Sequence, residues 1–98
     1  MNKLELVKLI GYRRVFIFTT EGVCAKQIRI EVQDNVIESV EIFGGCPGNG
    51  KAVASLVKGL TLEETIERLR GIMCGNKNTS CADQLAIACE MIMDGRLI

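Results

Sequence analysis

The chain has 98 residues, with 12 basic and 12 acidic side chains, no histidine and an apolar fraction of 48 %. That length suits one small domain, which buries only roughly 60 to 70 % of its unfolded surface, so an additional staple would help it. Zero net charge gives no electrostatic reason to expect a nucleic-acid or anionic-membrane partner, and no run of about 18 apolar residues marks a membrane span.

In chain order, LELVKLIG at Leu4 to Gly11 reads as a short helix or strand covering a sheet, or as an oligomer contact. The opening MNKLELVKLIGYRR has neither an uninterrupted apolar stretch nor a small-residue cleavage site, so the protein is expected in the cytoplasm. Tyr12 to Thr19 is β-branched and aromatic. Gln27 to Gln33 alternates, with Ile28, Ile30 and Val32 on one face, and Val36 to Phe43 follows the turn formers Asp34 and Asn35. Three antiparallel strands with one buried face fit this pattern.

After Gly50 the period changes to that of a helix, with Val53, Leu56, Val57 and Leu60 inward and Gly59 at the end. Thr61 and Glu64 spell a capping box for a second helix, which carries Leu62, Ile66 and Leu69 inward and is closed by Gly71. CGNKNTS, Cys74 to Ser80, is rich in turn formers. Ser80 and Asp83 then cap a last helix whose stripe is Cys81, Leu85, Ala88, Cys89 and Ile92. Strands first and helices second imply an α+β domain, a small antiparallel sheet of about three strands with helices on one face. A single unit over residues 1–98 is expected, with its core at about 12–95.

Two chemistries compete for GGCPGNGKAV, Gly44 to Val53. Gly45 to Lys51 spells GxxxxGK, most of a phosphate-cradling loop. Such a loop needs Ser or Thr after its lysine to hold Mg²⁺, and Ala52 stands there; it also needs a parallel βαβ core. The alternative is that the turn presents Cys46. In a reducing compartment five cysteines do not suggest a disulfide framework, and an odd number cannot pair completely. Cys24, Cys46, Cys74 and Cys81 all fall at element ends, where ligands converge, and a helix start at Cys81 favours a thiolate. They are candidate ligands for tetrahedral Zn²⁺ or an iron-sulfur cluster, although the spacing lacks paired CxxC knuckles. Cys89, mid-helix on the apolar stripe, reads as a small core residue.

Lys51 and Asp83 are candidates for a supporting role. Four thiolates around a divalent ion carry about two net negative charges, which Lys26, Lys51 and Lys77 could offset. Lys51 equally reads as a solvated lysine at a helix start, and Asp83 as a metal-proximal carboxylate or a helix cap. No acid-base pair or activated nucleophile is recognisable, so catalysis is not demanded.

The runs GVCAKQIRIEV, VIESVEIFGGCPGNGKAVASLVKGLTLEE and LRGIMCGNKNTSCADQLA resemble the small bacterial TSCPD-domain proteins, whose motif stands here as TSCAD with Ala82 in place of proline. Related domains close the adenosylcobalamin-dependent ribonucleotide reductases. The resemblance implies at most an accessory role in ribonucleoside-diphosphate reduction, since 98 residues cannot hold the barrel and cofactor of the enzyme itself. A more distant likeness is to the U-type iron-sulfur scaffold proteins, in which three cysteines corresponding to Cys24, Cys46 and either Cys74 or Cys81 hold Zn²⁺ or an assembling cluster. Here histidine is absent, and Lys26 lies near the scaffold's acidic position. The implied partners are a metal ion or cluster, and a ribonucleotide reductase or a cluster-assembly protein, with a homo-oligomer open. The remaining reading is a structural interaction module with buried cysteines.

Overall fold

A computed structural model describes residues 2–23, 25–44, 47–72 and 80–95. Four strands come first, β1 (Lys3–Ile10), β2 (Arg13–Thr19), β3 (Ala25–Gln33) and β4 (Val36–Gly44), and then the helices α1 (Pro47–Val57), α2 (Leu62–Leu69) and α3 (Cys81–Asp94). The strands form one antiparallel meander in the order β1-β2-β3-β4. Asp34 and Asn35, at φ 52° and 68°, make the turn between β3 and β4. Positive φ at both central residues is what a two-residue hairpin loop of the twist-matching kind requires, and Asp and Asn tolerate it.

One face of the sheet is the core. Phe18 pairs with Ile28 and Ile28 with Ile42, while Phe16 pairs with Ile30 and Ile30 with Val40. All but Ile42 are buried, along with Leu4, Val32 and Ile37. The other face carries a polar ladder in which Glu31 accepts from Arg29 at 2.8 Å and from Ser39 at 3.1 Å. Burial raises the Glu31 pKa, but the hydrogen bonds from Ser39 and Arg29 and the Arg29 charge outweigh it and leave the carboxyl below its ordinary value.

The sheet has four strands where three are expected, because LELVKLI is strand β1. Its alternation is hidden by a bulge between Leu6 and Lys8: Leu4, Leu6 and Leu9 stand opposite Phe18, Phe16 and Arg14 and so share the core face. Counted by twos, Leu9 would fall on the wrong side. The first helix also starts earlier than expected, at Pro47. Its inward arc runs through Gly50, Val53 and Val57, and a Cβ on Gly50 would sit 3.4 Å from that of Ile42, so helix and strand are in close approach. Leu56, expected inward, is 76 % exposed because it lies roughly 100° of helix rotation outside the centre of that arc.

The second helix has the expected capping box, with Thr61 Oγ1 accepting from the Glu64 amide at 3.1 Å and Glu64 accepting from the Thr61 amide at 3.0 Å. These bonds hold the Glu64 carboxyl below its ordinary pKa. Leu62 is buried, and Ile66 and Leu69 are half-buried against the core. The third helix buries Leu85, Ala88, Cys89 and Ile92 as expected.

Candidate metal centre

Of the four candidate ligands, Cys81 is described, and Cys24, Cys46 and Cys74 lie outside the described residues. Cys81 is the first residue of α3, half-buried and a free thiol. Cys89, two turns on, is fully buried, and burial followed by the charge of Glu90 pushes its thiol up to about 12. It remains protonated at neutral pH and is unsuited to metal ligation. Among the described residues, no group of three or more Cys, Asp or Glu side chains is placed to hold a metal ion.

The described residues next to the candidate ligands lie at one end of the sheet. Ala25, after Cys24, is paired with Gly44, two residues before Cys46. Glu21, three residues before Cys24, donates its amide to Gln84 Oε1 at 3.0 Å, and Asn2 Nδ2 donates to the same oxygen at 2.7 Å. That ties the β2–β3 connection and the chain before β1 to the first turn of α3. Ser80 Oγ donates to the Ile72 carbonyl at 2.6 Å and accepts from the Asp83 amide at 3.0 Å, so it caps α3 and holds the chain leaving α2.

Asp83 is 2 % exposed. Its carboxylate accepts from the Gly71 amide at 2.7 Å and from Arg70 Nη1 at 2.8 Å. The hydrogen bonds to Asp83, then to Glu90, raise the pKa of the Arg70 guanidinium above its ordinary value. The cap of α3 is the Ser80 hydroxyl; the Asp83 side chain faces the end of α2. Lys51 is exposed on α1 beside a cleft of about 230 Å³ bounded by Val40 to Phe43 of β4 and by Gly50 and Ala54.

Gln84 and Arg70 were not among the expected residues. The available signal for Gln84 was a polar side chain directly after Asp83 on a helix that is otherwise mostly small and apolar. Arg70 had no local signal, since its partners lie on another helix.

The TSCPD domain matches residues 11–93, everything from the β1–β2 turn almost to the end of α3, and the chain belongs to that family. The family is associated with ribonucleotide reductase. No curated protein and no solved structure matches the chain significantly. Among the described residues no helix is long and apolar enough to cross a membrane.

Proposed function

We propose that the protein is a small cysteine-ligated metal-binding module in which Cys24, Cys46, Cys74 and Cys81 hold Zn²⁺ or an iron-sulfur cluster, and that it serves as a scaffold, carrier or regulatory element rather than as an enzyme. One observation carries this reading. The pairing of Ala25 with Gly44, the tie from Glu21 to Gln84 and the tie from Ile72 to Ser80 bring the chain beside each cysteine to one end of the sheet. Four soft donors suit either metal form. Bound there, the metal would supply a cross-link that a domain of this size can use for stability, and as a cluster it would add one-electron redox capacity. Lys51 and Asp83 remain candidates for supporting the site, Asp83 through its hold on Gly71.

The family association favours a second reading, an accessory module of ribonucleotide reduction acting in the cytoplasm. Both readings allow metal, so metal is the first thing to test. Protein purified without oxygen is expected to contain either stoichiometric zinc, or iron and sulfide with broad visible absorption. Cys46→Ser is expected to lose that content and Cys89→Ser to keep it. Metal-free wild type, or equal retention in the two variants, would overturn the assignment.

A further inference from the structure

The outer edge of β1 carries an exposed apolar surface that the proposed function does not use. β1 is the terminal strand of the sheet, and among the described residues no segment pairs with its outer edge. Leu6, Val7, Leu9, Ile10 and Tyr12 are 40 %, 53 %, 65 %, 55 % and 83 % exposed, which concentrates on one strand and its turn most of the exposed large apolar side chains among the described residues. The TSCPD match begins at residue 11, so this strand lies outside the matched region. Natural edges are guarded against pairing by charged side chains, especially lysine, and by bulges. Lys3, Glu5 and Lys8 are of mixed sign, and their order makes the strand complementary to itself.

The bulge creates that complementarity. Glu5 stands opposite Ile17 and Lys8 opposite Val15, two residues apart on β2, so Glu5 and Lys8 share the polar face although three positions separate them. Leu4 and Leu9 share the core face by the same count. If two copies of KLELVKLI run antiparallel about a two-fold axis at the Leu6–Val7 step, Glu5 faces Lys8 of the second copy twice, Leu4 faces Leu9, and Leu6 faces Val7. The same register sets Lys3 against Ile10, and every pair outside the central Leu6–Val7 step has its side chains on matching faces. An unbulged strand would put Glu5 and Lys8 on opposite faces, and this register would fail.

We propose that a second copy of this chain docks on β1, edge to edge and antiparallel, joining the two four-stranded sheets into one continuous eight-stranded sheet. The interface is isologous and closes on itself, so it yields a dimer rather than a fibre. Glu5 is held at 3.5 Å from Lys3 in the single chain, an exposed pair that is readily exchanged for Lys8 of the second copy.

Charge reversal tests both the dimer and its register. By sedimentation equilibrium, the wild-type chain is expected at twice 10.7 kDa. Glu5→Lys sets lysine against lysine and Lys8→Glu sets glutamate against glutamate, so each variant alone is expected to be a monomer. An equimolar mixture of the two restores both opposite-charge pairs and is expected to dimerise, as is the double variant. These side chains point to solvent, and circular dichroism of each variant checks that it remains folded. A monomeric wild type at submillimolar concentration would overturn the proposal. So would single variants that still dimerise, or a mixture that stays monomeric.

Discussion

The two ends of the sheet are closed by different means. At the Asp34–Asn35 end, main chain meets main chain: the Ile37 amide donates to the Leu60 carbonyl at 2.8 Å, the Gly59 amide to the Ile37 carbonyl at 2.9 Å, and the Leu62 amide to the Asn35 carbonyl at 3.0 Å. Ile37, Val57 and Leu62 are buried beneath these bonds. At the cysteine end, closure runs through three side chains at the start of α3: Ser80 and Asp83 both hold the chain leaving α2, at Ile72 and Gly71, and Gln84 holds the β2–β3 connection at Glu21. Backbone pairing survives most substitutions, whereas a tie made by one carboxamide oxygen is lost with it. On the proposed function, the second end is where a metal would contribute most.

The sharpest way to break that contrast is at the packed end. Leu62→Ala removes a buried side chain at the start of α2 and is expected to cost about 2–5 kcal/mol. Thermal or denaturant unfolding should show the same loss with and without a chelator. A loss that depends on metal would mean that the two ends are one cooperative unit.

At the cysteine end, Gln84→Ala removes the acceptor shared by Asn2 and Glu21 and is expected to cost about 1–3 kcal/mol. Here the comparison predicts coupling. On the proposed function the variant should also release metal to a competing chelator more readily than wild type, and hydrogen exchange at the Glu21 amide should rise while that at Ile37 holds. Unchanged metal retention would make Gln84 a purely structural tie.

Thr61→Ala, again at the packed end, removes one half of the capping box and is expected to cost about 1 kcal/mol with no effect on metal content. Both the box and the turn before it were legible in the sequence, because each is written within four consecutive residues. The same holds for β2, β3 and β4, for the Ser80 cap and for the apolar stripe of α3. What was not legible is non-local. The tie from Gln84 to Glu21 joins residues 63 apart and that to Asn2 residues 82 apart, so no window of sequence contains both partners. β1 stayed open between helix and strand for a different reason: its bulge shifts the alternation by one. Leu56 was misplaced because apolar character alone does not fix the centre of a helix face, which here is set by the approach of Gly50 to Ile42.

The smallest expected effect lies on the polar face of the sheet, between the two ends. The Glu31 carboxyl has a pKa below its ordinary 4.5 because its bonds to Ser39 and Arg29 outweigh the opposing effect of burial. For a carboxylate whose folded pKa is depressed, the unfolded chain binds its proton first as pH falls, so the native state loses stability on acidification. The contribution is complete above pH 4.5 and disappears as the pH drops through the lower folded value. Ser39→Ala removes the neutral donor and leaves Arg29 at 2.8 Å, so it should raise the folded pKa toward the ordinary value and flatten the acid limb of stability without abolishing it. Unfolding measured across that limb distinguishes this from a change in packing, which would shift stability equally at every pH. Because Glu31 and Ser39 face away from the helices, the flattening should be the same with metal and without, which separates the acid response of the sheet from that of the thiolates.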